Sequence, residues 1–282
     1  MKTCPRCQSN QTWRLGDGRF KCRVCDARFS WRSVWDSVRL PDAAKQKLVD
    51  AFVRGVSVYR QRHDDDACVD SRERFYRLMR AVCALDARIP RAATYLSASH
   101  VAPERPRSCM RGWAATRVVM IIGISEDQGR IRIGAPPPAV AVEVLPLLRG
   151  RTAIGGVYRV HENHAFASLQ VQGDHVVIQR MTRAPLAMNC IETFWDATRE
   201  RLQVFRKIRK NFFYLYLGEM CFRFNHRDAD LAVLLRELLQ STSSADIRAV
   251  LRGVSTQPQS VDAASWRLRD DDGDTRRRKL DA

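Results

Sequence analysis

The spacing of apolar positions changes along the chain, and the changes mark its parts. Residues 1 to about 32 read as a hairpin unit with Gly16-Asp17-Gly18 at the tip, and Phe20 and Phe29 as its aromatic cover. From residue 33 the period becomes helical. Pro41 and Asp42 open a predicted helix that carries Leu48 and Phe52 and ends at Gly55. A short second helix covers Val56 to Arg62, and His63-Asp64-Asp65-Asp66 breaks the pattern. Asp70 with Glu73 three residues on opens a third helix, running to about Leu85. Its apolar face is Phe75, Leu78, Met79 and Val82, with Arg74, Arg77 and Arg80 opposite.

From about Ala92 the pattern turns to strands. Ala93 to Val101 and Arg117 to Ser125 read as strands, and Glu126-Asp127-Gln128-Gly129 turns the chain into a returning strand, Arg130 to Ala135. The spacing then predicts a short helix over Val142 to Arg149, a strand from Ala153 to His161, a small helix near Phe166 to Gln170 and a strand from His175 to Arg180. Helical spacing returns with Ile191, Phe194, Trp195, Leu202 and Phe205. Asn189, Glu192, Asp196, Arg199 and Gln203 fall on an adjacent polar stripe, which reads either as a solvated helix face or as a face for chemistry. The next predicted helix, Phe212 to Phe224, is apolar nearly all round, with Glu219 and Arg223 spaced to pair. Two helices follow, Asp230 to Gln240 and Ala245 to Gly253. From Ser255 the chain is polar, with the charge blocks Asp270 to Asp272 and Arg276 to Lys279, and reads as a disordered tail.

Composition narrows the class. At 282 residues and 45% hydrophobic the chain is long enough for two or three units with a sizeable core. A formal net charge of +17 and a pI near 10.1 point to a polyanionic partner. Nucleic acid is the first expectation and an anionic membrane surface the alternative. The longest aliphatic run, Val118 to Ile122, is far too short to span a bilayer, and the first residues do not open a secretory signal. The expectation is an intracellular, nucleoid-associated protein in the cytoplasm.

Nine cysteines include two C-x-x-C pairs, Cys4-Pro-Arg-Cys7 and Cys22-Arg-Val-Cys25, separated by 14 residues. Each pair supplies two thiolates from one turn, and the spacer suits a hairpin that completes a tetrahedral site. Four thiolates leave no open position, so the expected Zn²⁺ is structural. A segment this short has little core of its own, so metal binding and folding should be one event. Basic residues dominate it, which suits a phosphate-facing module.

Helix, short helix, turn and basic amphipathic helix is the order of a helix-turn-helix, which would put Arg74, Arg77 and Arg80 towards DNA. A second basic patch, Arg199, Arg201, Arg206, Lys207, Arg209 and Lys210, is the other candidate phosphate contact. The run from Asn189 to Arg227 carries N-x-x-E-x-F-W in Asn189, Glu192, Phe194 and Trp195, with Arg199 seven positions after the Glu. It then carries Y-L-x-E-x-x-F-R-x-N-x-R from Tyr216 to Arg227. This resembles the end of the catalytic domain in DDE-type insertion-sequence transposases that carry an N-terminal zinc ribbon. The resemblance covers most of residues 1 to about 230.

It implies a ribonuclease-H-like α/β domain, and two Mg²⁺ ions held by carboxylates on the first and fourth strands together with Asn189 and Glu192. Arg199 stands where the family usually has a DNA-contacting lysine. The stretch matching the family's first acids, Tyr95 to Val101, contains no acid, and the fourth-strand position is His161, followed by Glu162. Glu104 and Asp127 fall off the expected inner face. His100, His161 and Glu192 could instead form a transition-metal site, or simply fill a degenerate cleft.

The sequence therefore predicts a multidomain α+β protein: zinc ribbon 1–32, helix-turn-helix 33–91, ribonuclease-H-like domain 92–229, C-terminal helices 230–254 and tail 255–282. The expected function is that of a transposase-like DNA-binding protein that has lost metal-dependent strand transfer. Its expected partners are double-stranded DNA, further copies of itself or other proteins of a DNA complex. The alternative is an active transposase that cuts and joins element ends with Mg²⁺, in which Asn189 and Glu192 are catalytic.

Overall fold

The computed structural model describes residues 2, 4–7, 9–61, 67–89, 94–97, 118–134, 157–161, 164–172, 174–177, 189–205 and 208–252. The chain is mixed α+β, and its described residues divide into two compact units, one within residues 1–88 and 215–252 and the other within residues 89–214. Among the described residues no helix is long and apolar enough to cross a membrane.

The first unit opens with a three-stranded antiparallel ribbon, β1 (Thr12–Arg14), β2 (Phe20–Cys22) and β3 (Arg28–Phe29), in that order across the sheet. Gly18 turns the β1–β2 hairpin at φ 81°, where a glycine is needed, and its amide donates to the Leu15 carbonyl. Helices follow: α1 (Val34–Ser37), α2 (Asp42–Val53), a 3₁₀ turn (Val58–Gln61) and α3 (Val69–Asp86). Gly55 at φ 79° lies just past the end of α2 as the sequence predicts, while Pro41 is the N-cap and not the first helical residue, which is Asp42.

The cap of α3 differs from the expectation. Cys68 occupies it, and the helix starts at Val69. Leu78 is only half-buried, while Phe75, Met79 and Val82 form the buried face together with Tyr76.

The C-terminal helices are part of this unit. α5 (Phe213–Asn225) lies in it from Leu215 onward and is followed by α6 (Leu231–Ser241) and α7 (Ser244–Arg252). The Asp230 carboxylate caps α6 by accepting from the amides of Ala232 and Val233. α6 packs against α1, α2 and α3, and α7 against α1 and α3. Residues on both sides of Ser33 bond to the α6–α7 junction: the Val34 amide donates to Thr242 and the Ser244 amide to Arg32. The segments read separately as 33–91 and 230–254 thus share one helical core.

Three helices of that core meet at a buried carboxylate. Glu219 of α5 is 1% exposed and accepts from Arg80 of α3 at 2.8 Å and from Arg223 one turn on at 3.0 Å. Arg223 also donates to the carbonyls of Phe52 and Val53 at the end of α2, at 2.6 and 2.7 Å. The expected Glu219–Arg223 pair is therefore present, and it reaches two further helices.

The second unit is built on a sheet of β4 (Thr94–Ser97), β5 (Val118–Asp127), β6 (Arg130–Gly134), β7 (Val157–His161), β8 (His164–Gln172), β9 (His175–Val177) and β10 (Ile208–Arg209). β5 and β8 pair along Val118–Ser125, so β4 and β6, which pair with the two ends of β5, must share its other edge. β7 and β9 flank the far edge of β8 in the same way. Every named strand pair is antiparallel, and no parallel crossover of the kind an α/β domain uses occurs among the described residues.

The β5–β6 turn is the one predicted. Gln128 and Gly129 lie at φ 51° and 74° between Asp127 and Arg130, the two-residue turn whose twist matches a hairpin. The helix expected near Phe166 to Gln170 is instead part of β8. Ala165, Ala167, Leu169 and Val171 alternate with Phe166, Ser168 and Gln170, which is the period of a strand despite the Ala and Leu content. Cross-strand rows Met120–Leu169, Ile122–Ala167 and Ala165–Ile124–Ile133 cover one face of the sheet. α4 (Cys190–Gln203) packs on β5 and β6, burying Ile191, Phe194, Trp195 and Leu202 as the sequence stripe predicts. The helix expected over Val142 to Arg149 and the tail from Ser255 lie outside the described residues.

Candidate metal centre and nucleic-acid surfaces

The two C-x-x-C turns face each other across the ribbon. Cys4 Sγ lies 3.6 Å from Cys25 Sγ and Cys7 Sγ 3.5 Å from Cys22 Sγ, and all four sulfurs lie within 4.8 Å of one another. Zinc–sulfur bonds of about 2.3 Å at tetrahedral angles separate sulfurs by about 3.8 Å, so these residues fit a closed Zn²⁺ site. Among the described residues no other group of His, Cys, Asp and Glu is arranged to hold a metal.

The local backbone supports the thiolates. The Arg6 amide donates to Cys4 Sγ and the Val24 amide to Cys22 Sγ, each at 3.4 Å, two residues into each turn. Desolvation opposes ionisation of Cys4, but the amides of Cys7 and Arg6 and the neighbouring sulfurs outweigh it and bring the thiol down to about 7. At Cys7 the Ser9 amide favours the thiolate, yet desolvation and three adjacent sulfurs push it up to about 12. Four sulfurs this close ionise together only beside a cation, which Zn²⁺ supplies when bound. The rings of Phe20 and Phe29 lie 6.0 Å apart, centre to centre, tilted by 31°. Cys83 and Cys221 play no part: both are buried, and burial pushes their thiols well up.

The candidate DNA contacts divide. Arg74 and Arg77 lie exposed on α3, three residues apart on one face. Arg80 does not join them. Its side chain is 13% exposed, paired with Glu219 and set 4.4 Å from the centre of the Tyr216 ring. The helical period carries Arg80 from the outer face to the contact with α5, because a step of six residues is well over one and a half turns.

In the second patch Arg199 is 6% exposed and its guanidinium lies 2.7 Å from Asp196, so it is buried against its own helix instead of reaching solvent. Arg201 is half-buried, Arg209 is exposed on β10, and Lys210 pairs with Asp174 at 3.2 Å. Arg206 and Lys207 lie outside the described residues.

The N-x-x-E motif has a local explanation. Asn189 is the N-cap of α4, its Oδ1 accepting the Glu192 amide at 2.9 Å and its carbonyl the Thr193 amide at 3.0 Å. Asn at N-cap with Glu three residues on is the capping-box spacing, so the motif is what this helix start needs whether or not it holds a metal. Glu192 itself is half-buried. His100, Glu104 and Glu162 lie outside the described residues, His161 ends β7, and Asp127 pairs with Arg132 beside the β5–β6 turn.

Compared with known proteins, the chain matches no family model, and no curated protein or solved structure shows significant similarity to it.

Proposed function

We propose that this chain is a DNA-binding protein of transposase type in which strand transfer has been lost. The observation that carries the reading is the four-cysteine centre on a ribbon that is itself strongly basic: eight Lys and Arg against Asp17 and Asp26 within residues 1–32. A closed thiolate site does no chemistry of its own, so its use is to fold a small positive module. Arg74 and Arg77 on α3 and Arg209 on β10 add exposed cations, and the net charge of +17 makes a polyanion the natural partner.

The ribonuclease-H-like reading of residues 92–229 belongs to this proposal. The β5–β6 hairpin with β4 beside it, followed later by α4 on the sheet, supports it, and the antiparallel pairing of β5 with β8 weighs against it. Loss of strand transfer rests on the sequence, where the stretches matching the first two acid positions offer Ser99, His100 and His161. Mg²⁺ prefers hard oxygen ligands and would be poorly held there.

The test uses purified full-length protein with labelled duplex ends of its own element. The expected result is binding that weakens steeply between 50 and 200 mM salt, with no nicking or joining in Mg²⁺ or Mn²⁺. Cleavage that Glu192→Ala abolishes would establish the active transposase instead.

A further inference from the structure

The ribbon has a face that neither the metal centre nor the Phe20–Phe29 pair uses. Its register sets Trp13 opposite Lys21 and Lys21 opposite Arg28, one row across all three strands. Phe20 and Cys22, the neighbours of Lys21 on β2, are buried, so strand alternation turns the row to the other, solvent side. The ladder continues past the strands, where the Arg23 amide donates to the Gln11 carbonyl, and this brings Arg23 to the same side. Lys21 Nζ and the Arg23 guanidinium lie 5.3 and 5.7 Å from the Trp13 ring centre. One indole thus holds two cations at a fixed spacing.

The acid on this face is a weak competitor. Asp26 meets Lys21 at 2.8 Å, but its side chain is 77% exposed, and an ion pair so open to water is readily exchanged.

We propose that this row is a phosphate-binding surface for duplex DNA. Lys21, Arg23 and Arg28 contact backbone phosphates, Trp13 is the positioning residue for the first two, and Asp26 occupies Lys21 until a phosphate displaces it. The proposal rests on the DNA-binding reading above and assigns it a face. The row sets three cations against one exposed acid, a charge that complements a phosphate backbone.

The experiment is a salt titration of full-length, zinc-loaded protein on a labelled DNA duplex, with zinc content measured for every variant. Asp26→Asn should tighten binding by roughly twofold to fivefold at low salt, since it frees Lys21. Asn suits the left-handed backbone at this position, φ 54°, so the variant keeps the turn. Lys21→Ala should weaken binding and lower the salt slope by about one contact. Trp13→Ala should weaken binding while Trp13→Phe retains most of it, zinc content being unchanged in both. If wild type binds but Asp26→Asn and Lys21→Ala bind identically to it, the face is wrong and the DNA-binding reading stands. If wild type binds no duplex at low salt, both are wrong. A preference for an RNA duplex in competition would overturn the partner assigned to this face.

Discussion

At the scale of single residues, the position most open to misreading is Asn189. Its spacing to Glu192 matches a catalytic motif, yet its side chain closes the first turn of α4 by accepting the Glu192 amide. The two roles separate experimentally. Asn189→Ala should lower stability by about 1 kcal/mol in thermal or chemical denaturation, and Asn189→Asp should keep most of it, because Asp caps as well as Asn. In buffer free of divalent metal, a residue that only held metal would leave stability unchanged on either substitution. Glu219 makes the stronger case. It is enclosed with Arg80 and Arg223, and replacing it by Ala leaves two largely buried cations facing one another. Removing one member of a buried pair costs about 3–5 kcal/mol, so Glu219→Ala should shift the denaturation midpoint sharply or prevent folding. Arg74→Ala, on the exposed side of the same α3, should leave stability nearly unchanged.

At the scale of elements, sequence reading succeeded where one period or one turn decided the outcome. The ribbon hairpin, the α2 boundaries, the Gln128-Gly129 turn and the apolar stripe of α4 were all legible, since each is set by residues within a few positions of one another. It failed where the deciding contact is distant in sequence. Arg80 reads as an outward cation until α5, more than a hundred residues on, places Glu219 beside it. Within β8, Phe166 is buried beside Ala165 and Ala167, so three consecutive apolar residues blur the two-residue period in the sequence. The Trp13–Lys21 row could have been found by counting outward from the Gly16–Gly18 tip, which pairs those positions directly.

Gly218 shows the same distance effect. A Cβ there would lie 2.5–2.7 Å from the backbone and Cβ of Ala84, so α3 and α5 approach closely only because this residue is glycine. Gly218→Ala must push two helices apart and should destabilise the first unit by roughly 1–3 kcal/mol despite the better helix propensity of alanine. Unchanged stability on calorimetry would show that the helices are not in contact at this point.

At the scale of the whole molecule, the question is how much of the fold depends on metal. The ribbon has three strands of two or three residues, and its buried side chains are chiefly Phe20 and the ligands Cys4 and Cys22. The helical part of its unit is different: Val34, Leu48, Phe52, Phe75, Met79, Leu235 and Leu239 form a core that owes nothing to cysteine ligation. Removing zinc should therefore unfold one region and spare the other. A strong chelator, or Cys22→Ala, is expected to release one zinc per chain and open residues 1–32 to limited proteolysis, with far-UV circular dichroism losing little helical signal. On the proposed DNA-binding reading, affinity for duplex DNA should fall with the ribbon but not vanish, since Arg74, Arg77 and Arg209 lie outside it. Fewer phosphate contacts would also flatten the salt dependence, which distinguishes loss of one binding surface from general unfolding. If residues 1–32 stayed protease-resistant without metal, the sulfur cluster would not be a structural zinc site. If all affinity vanished while the helical signal persisted, the ribbon alone would carry recognition.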